Sequence, residues 1–166
     1  MTSTYVGLVS KESVRIAFTY AALNGLDVWA ADVQNTFLQA PCSKKYYTVC
    51  GPEFGSEFIG KLAIIVRAAY GLKSAGSGFW NHLRDCMEHL GYESYKADPD
   101  VWMRSATRTD GQYYYEYILS YVYDCLCISE NPKPALLQVD KYFPIKPASL
   151  GPPKTYLGGQ YQRYNF

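Results

Sequence analysis

The sequence predicts an α+β fold, an antiparallel sheet with helices on one face. Two observations lead to it: segments of helical and strand character follow one another as helix, strand, helix, hairpin, helix and strand, and two apolar runs flank a two-residue break near position 123. The chain has 166 residues, of which 48% are hydrophobic. This is enough to bury one ordinary core, so we expect a single domain over 1–166.

The beginning of the chain predicts a helix followed by a buried strand. Between Ser10 and Asn24 apolar residues recur at helical spacing, and Asn24-Gly25 favours a helix end. The apolar positions are Val14, Phe18 and Ala21. The next segment, 26–33, is rich in strand-forming residues and carries Asp32 near its far end, so we expect a strand that delivers this carboxylate to an edge.

The middle of the chain predicts a strand and a long amphipathic helix. An apolar run at 61–66 has the length of a strand, and a loop of small residues follows it. A stripe of apolar residues at i, i+4, i+7 and i+11 then predicts a helix over 77–90, with Ser77 as the N-cap and Gly91 as the C-terminal stop. The stripe consists of Phe79, Leu83, Cys86 and Leu90.

The second half of the chain predicts strands at 101–104 and 113–122, separated by a turn at 109–111. A short helix is expected after Pro132 and Pro134, and a last strand at 156–162. The helix prediction depends on Leu136, Val139 and Phe143.

A hairpin is predicted where the apolar runs 117–122 and 125–129 meet. The two runs are joined at Tyr123-Asp124, which we interpret as the turn, although no glycine occupies it. Asp124 would then occupy the tip of an apolar hairpin.

Composition excludes several classes of function. The 16 Lys and Arg against 15 Asp and Glu give a net charge of +1, so phosphate binding requires a local cluster. The five cysteines contain no C-x-x-C pair, and no run approaches the roughly 20 apolar residues of a membrane span. We expect a soluble intracellular protein, cytoplasmic or nuclear and not secreted, with no membrane partner; the oligomeric state stays open.

Tyrosine is unusually frequent, with 17 copies, and several of them cluster between 113 and 123. Aromatic side chains pack well on a pleated surface, so the cluster favours a strand. A platform on which the bases of single-stranded nucleic acid stack is the alternative.

Two carboxylates are the candidates for chemistry. Asp32 ends a predicted buried strand and Asp124 lies at the predicted hairpin tip. Carboxylates at adjacent strand edges suit Mg²⁺, which takes hard oxygen ligands, although a lone strand-end Asp is more often a turn or cap residue. We expect the two on neighbouring strands, with carboxylates on the order of 4–6 Å apart.

A series of short motifs follows along the chain. In order, the blocks are Asp32-Val33-Gln34-Asn35-Thr36-Phe37-Leu38, Tyr70-Gly71-Leu72-Lys73 with Trp80 after it, Gly91-Tyr92, Asp98-Pro99-Asp100 with Trp102, Tyr121-Val122-Tyr123-Asp124 and Tyr156-Leu157-Gly158-Gly159. The series resembles the palm region of Ty1/copia-type retrotransposon reverse transcriptases. The resemblance covers about 10–163, and its strength lies in the order of the blocks, since each block alone is unspecific.

The resemblance implies a fold, a reverse-transcriptase palm with partial fingers. It also implies an activity, RNA-directed DNA polymerisation, with an RNA or DNA primer-template and deoxynucleoside triphosphates as partners. Asp32 and Asp124 would be catalytic and would hold Mg²⁺ in a two-metal site, with the Val33 carbonyl as a further ligand. Residues implied in substrate binding are Phe37, Lys73 and Tyr121. Phe37 falls where the family places the aromatic that excludes a ribose 2′-hydroxyl; core packing is an equal alternative for it.

The chain also departs from the family pattern. Tyr123 replaces the first aspartate of Y-V-D-D, and its phenol is neutral at pH 7. Ser74-Ala75-Gly76 stands where Gln-Ala-Pro is usual, and the N-terminal fingers segment, thumb and ribonuclease H are absent from the sequence. We therefore expect a catalytically impaired polymerase fragment of a retroelement. The alternatives are a non-catalytic nucleic-acid or protein interaction module and one part of a longer polyprotein.

Overall fold

A five-stranded antiparallel sheet is the largest element of the fold. The computed structural model describes residues 8–69, 71–72 and 75–162, apart from the side chain of Ser43. The strands of the sheet, in the order in which they lie side by side, are β1 (Asp27–Asp32), β7 (Asp124–Ser129), β6 (Tyr113–Tyr121), β5 (Asp98–Thr107) and β4 (Glu93–Tyr95). With the four α-helices of the described residues, this sheet confirms a mixed α+β fold.

The remaining elements are two small sheets and the helices. β2 (Pro41–Val49) pairs with β3 (Leu62–Arg67), and β8 (Thr155–Tyr156) pairs with β9 (Gly159–Gln160). The helices are α1 (Lys11–Leu23), α2 (Thr36–Gln39), α3 (Ala75–His89) and α4 (Pro132–Asp140).

The chain divides into two compact units. Of the described residues, 8–34 and 84–162 belong to the unit with the five-stranded sheet, and those from 35 to 83 belong to the other. The expectation of a single domain stays a prediction.

The first predicted helix and strand form as expected. Ser10 caps α1, since its hydroxyl accepts a hydrogen bond from Ser13 N at 3.0 Å. At the other end, Gly25 follows the C-cap Asn24 with φ of 61°. The buried α1 residues Val14 and Ala21 pack in one apolar cluster with residues of the sheet.

Helices cover both faces of the sheet, so the expectation of helices on one face was wrong. Leu119 and Leu126, which are cross-strand partners, lie in the α1 cluster. The neighbouring pair Ile118 and Cys127 points to the opposite face and is also fully buried. α4 lies on that second face, because Gln138 accepts a hydrogen bond from Arg104, whose cross-strand partner Glu116 shares the face of Ile118.

The long helix and the hairpin deviate in detail from their predicted positions. α3 starts at Ala75, so Ser77 lies inside the helix and is not its N-cap, whereas Gly91 follows the helix with φ of 81°, as predicted. The hairpin turn consists of Val122 and Tyr123, because Tyr121 pairs with Asp124. Asp124 therefore opens β7 and does not occupy the tip.

Several segments differ from the prediction altogether. The expected last strand is two strands of two residues each, β8 and β9, joined by a turn in which Leu157 and Gly158 both have positive φ. β2, α2 and β4 were not predicted, and the predicted helix near Phe143 ends at Asp140. The tyrosine cluster does form a strand, β6.

The unit from 35 to 83 displays apolar side chains on its small sheet. Five exposed residues of β2 and β3 form this surface: Tyr47, Val49, Leu62, Ile64 and Val66.

No described helix is long and apolar enough to span a membrane.

The five cysteines are free thiols, and all but Cys42 are buried. Burial raises the pKa of Cys86 to about 11 and that of Cys125 to about 12. Because the thiolate is the reactive form, these two behave as small apolar core residues.

Candidate functional site

The structure brings Asp32 and Asp124 together, as expected. β1 and β7 run antiparallel with Asp32 directly opposite Asp124. Directly opposed residues point to the same face of a sheet with Cβ atoms about 4.5–5.5 Å apart. The two carboxyl groups therefore form one pair at the end of β1 and the start of β7.

Sequence dictates where this pair lies. β7 is buried along almost its whole length, and β1 pairs with it residue by residue from Asp27 to Asp32. The two-residue turn after Tyr121 fixes the register of the hairpin, so Asp124 can only fall at the first position of β7. Each carboxylate thus lies at a strand end, where water reaches it.

Lys146 engages one of the two carboxylates. Its Nζ donates to Asp32 Oδ2 at 2.5 Å, and the side chains are 53% exposed for Lys146 and 24% for Asp32. Asp32 Oδ1 is buried and has no hydrogen-bond partner among the described residues. Asp32 therefore presents one oxygen to an ammonium group and keeps the other unsatisfied.

The backbone holds Lys146 beside the pair. Lys146 N donates to the carbonyl of Asp32 at 2.9 Å. Ser149 Oγ accepts from Asp32 N at 2.8 Å and donates to the Lys146 carbonyl at 2.8 Å. Two of these hydrogen bonds join the segment after α4 to the end of β1, and the third lies within that segment.

The environment of Asp124 disfavours its charge. Burial raises the pKa of Asp124, the neighbouring Asp32 raises it further, and Lys146 opposes the two effects only in part. The hydrogen bond that Lys146 donates to Asp32 raises the pKa of Lys146. Asp124 is therefore an anion that gains from any additional cation at this position.

Tyr123 occupies the hairpin turn with its side chain 45% exposed. Its carbonyl accepts a hydrogen bond from Val33 N at 2.8 Å, which connects the turn to the residue after β1. Val122, the other turn residue, has φ of 55°, in the left-handed region that a β-branched residue rarely adopts. A strained residue at such a turn persists where the surroundings determine its conformation.

Two further expected site residues lie next to the pair. Tyr121 is the cross-strand partner of Asp124 and packs against the apolar cluster on the α1 face. Val33 forms a bridge with Ile145, next to Lys146. Tyr156, on the same face, has a buried hydroxyl without a hydrogen-bond partner among the described residues.

Phe37, another expected substrate-binding residue, belongs to the unit from 35 to 83. The ring of Phe37 meets that of Phe79 edge to face, with centroids 6.4 Å apart. This contact is of the kind expected from core packing, the alternative for Phe37. Lys73 lies outside the described residues.

The two carboxylates, Asp32 and Asp124, are oxygen ligands of the type that Mg²⁺ prefers, but there are only two of them. No group of three or more His, Cys, Asp or Glu able to hold a metal occurs among the residues the structure describes. Mg²⁺ is commonly bound through one or two carboxylates, with water and substrate phosphate as the other ligands. Asp32 and Asp124 provide such a pair; of the Asp32 oxygens, Oδ1 is buried without a partner and Oδ2 accepts from Lys146.

Sequence reasoning missed Lys146 and Ser149. They lie in a proline-rich stretch, which carries no helical or alternating pattern. The available signal was chemical: a half-buried carboxylate pair favours a nearby cation, and Lys146 is one of the few basic residues in the last third of the chain.

Comparisons with known proteins give no match. No protein-family model, curated protein or solved structure matches this chain.

Proposed function

We propose that the chain is the palm region, with partial fingers, of a Ty1/copia-type reverse transcriptase whose polymerase activity is impaired. The observation that carries the proposal is the direct cross-strand pairing of Asp32 with Asp124 beside a two-residue hairpin turn. The ordered motifs of the sequence support it, because two of them contribute one carboxylate each to this pair.

The chemistry of the proposal is nucleotidyl transfer. The primer 3′-hydroxyl attacks the α-phosphate of a deoxynucleoside triphosphate, and pyrophosphate leaves. Asp32 and Asp124 would hold Mg²⁺, with the Val33 carbonyl as a further ligand. When bound, Mg²⁺ supplies charge stabilisation for the attacking and leaving oxygens. Phe37, Lys73 and Tyr121 would contact the nucleotide or the primer-template.

Two features account for the proposed impairment. Tyr123 contributes a neutral phenol where the family has a carboxylate, and a phenol is a poor Mg²⁺ ligand. Lys146 already donates to Asp32 Oδ2, so one carboxylate oxygen is engaged by the chain itself.

Primer extension tests this function. We expect the purified chain with Mg²⁺ to extend a primer roughly 10²–10³-fold more slowly than a family member with intact Y-V-D-D, since each tenfold loss corresponds to about 1.4 kcal/mol of transition-state stabilisation. Residual extension should vanish in Asp32→Asn. Extension at near-normal rates, or residual extension that survives Asp32→Asn, would contradict the proposal.

A second candidate is a non-catalytic module that binds nucleic acid through the retained fold. The contact of Lys146 with Asp32 favours it, because the chain partly neutralises its carboxylate pair without a metal. Affinity for a primer-template that falls linearly with the logarithm of salt concentration, together with no extension in Asp32→Asn or in the parent, would support this candidate.

A further inference from the structure

Lys146 lies where the carboxylate pair most needs positive charge. Its Nζ is 2.5 Å from Asp32 Oδ2, and it interacts favourably with Asp124 as well. Asp32 and Asp124 are cross-strand partners on one face of the sheet, so their like charges repel. Among the interactions the structure describes at this pair, Lys146 is the cation that offsets the repulsion.

Lys146 has a hydrogen-bonded backbone and a half-exposed side chain. Its N–H and carbonyl are both bonded, the first to Asp32 O and the second to Ser149 Oγ. The side chain beyond Cα is 53% exposed. The ammonium is therefore always near the pair, yet four rotatable bonds allow it to leave Asp32 without disturbing the fold.

Lys146 and a divalent cation compete for Asp32 Oδ2. Two cations that share a carboxylate lie only a few Å apart and repel each other, even in water. A partly exposed ion pair of this kind is weak, so a divalent ion can displace the ammonium.

We propose that Lys146 is a tethered cation that occupies the Asp32–Asp124 pair in the metal-free protein and that a divalent cation binds the pair only by displacing it. The proposal rests on the proposed function in one respect, the divalent ion at the pair. It adds a regulatory consequence: the length and charge of residue 146 set the metal concentration at which the site fills.

Titration calorimetry with Mn²⁺ and with Mg²⁺ on the full chain tests the proposal. Lys146→Met removes the charge and keeps most of the side-chain length. We expect it to bind either ion about tenfold more tightly than the parent, through loss of the competing ion pair and of charge repulsion. Lys146→Arg keeps the charge and should retain the weak affinity of the parent.

A matched control separates the site from net charge. Lys133→Met removes one positive charge from an exposed lysine in α4, which starts just after the far end of β7. It should bind Mn²⁺ as the parent does. The double variant Lys146→Met, Asp124→Asn should lose the tighter binding of Lys146→Met, because the pair itself is then broken.

The outcomes distinguish this inference from the proposed function. Tighter binding in Lys146→Met, with Lys146→Arg and Lys133→Met unchanged, supports the inference. If the parent binds Mn²⁺ at the pair and Lys146→Met binds no more tightly, the inference fails and the proposed function stands. If neither protein binds Mn²⁺, both fail. Lys146→Gln, with thermal melts of every variant, supplies a second neutral side chain should Lys146→Met fold poorly.

Discussion

The surroundings of Asp124 disfavour its charge. Its pKa is raised by burial first and by Asp32 second. The carboxyl is therefore harder to ionise in the folded chain than in the unfolded chain. A raised pKa gives a contribution to stability that is present at low pH and is lost as pH rises through the folded-state pKa. At neutral pH the ionised Asp124 therefore destabilises the metal-free protein.

We accordingly predict that Asp124→Asn raises the melting temperature of the metal-free protein at neutral pH. The gain should shrink as pH falls through the raised folded-state pKa of Asp124 and should be gone below the usual range for aspartate, where the parent carboxyl is protonated too. Thermal melts across pH measure this. Asp32→Asn is the matched control: it breaks the bond to Lys146 and should gain less. A lower melting temperature for Asp124→Asn at neutral pH would contradict the account of the pair.

Tyr123→Asp rebuilds the Y-V-D-D sequence at the hairpin turn. A third carboxylate beside Asp32 and Asp124 adds like charge, so the metal-free variant should melt at a lower temperature than the parent. Mg²⁺ should restore more stability to the variant than to the parent by mass action. Polymerase activity need not return.

Thermal melts with and without Mg²⁺ compare the two proteins. Tyr113→Asp, a change at the most exposed β6 tyrosine, serves as the control for an added surface carboxylate. Equal Mg²⁺ responses in the parent and in Tyr123→Asp would mean that position 123 does not face a metal site.

The strand-end positions of Asp32 and Asp124, together with the family resemblance, predicted the pair, but they did not predict its partner Lys146. Asp32 and Asp124 could be found because each follows or begins a run of apolar strand residues. Lys146 could not, because its position depends on hydrogen bonds to Asp32 across more than a hundred residues of sequence. Such long-range contacts leave no local periodicity.

At the scale of elements, the start of α1 depends on one buried carboxylate in β5. Asp98 Oδ2 accepts hydrogen bonds from Ser10 N at 3.0 Å and from Ser13 Oγ at 2.6 Å, and Asp98 Oδ1 accepts from Asp100 N at 3.3 Å. Burial alone would raise the pKa of Asp98, but these hydrogen bonds outweigh burial and lower it. The cap of α1 is thus joined to the sheet through an ionised group.

Asp98→Asn should therefore destabilise the fold by roughly 1–3 kcal/mol at neutral pH, the range for loss of hydrogen bonds to a charged group. A lowered pKa gives stability that is present above the unfolded-state pKa and is lost as pH falls through the folded-state pKa. The difference between parent and variant should thus disappear in strong acid. Urea melts at both pH values measure it.

Ser13→Ala is the control for Asp98→Asn, because it removes only the Ser13 contacts and should cost less. A difference between parent and Asp98→Asn that stays constant from neutral pH into acid would show that the charge of Asp98 plays no part.

Elements with a strong local pattern were predicted well, and elements defined by pairing were not. α1 carries its own cap and apolar stripe, so its bounds followed from the sequence. β4 has three residues, all exposed, and exists because it pairs with β5. The turn of the hairpin was misplaced by one residue because Val122 adopts positive φ, which its β-branched side chain argues against.

For the whole molecule, the strand order explains why two distant residues meet. β1 is inserted at the edge of the sheet next to β7, although about ninety residues separate them in sequence. The order of elements predicted an antiparallel sheet, yet it contained no information on which edge β1 would join. Because helices cover both faces, β7 is buried at nearly every position and β6 over most of its second half, not at alternate positions. The apolar runs of the sequence did not show which elements cover each face.

The central claim is that Asp32 and Asp124 together form a divalent-cation site, and Mn²⁺ titration followed by amide NMR tests it most directly. Unpaired electrons broaden nearby resonances, so even weak binding reveals its position. We predict that Mn²⁺ first broadens the amides around Asp32 and Asp124, that Mg²⁺ reverses the broadening, and that Asp32→Asn abolishes it. Broadening spread over exposed carboxylates such as Glu53 and Glu57, or unchanged in Asp32→Asn, would contradict the claim.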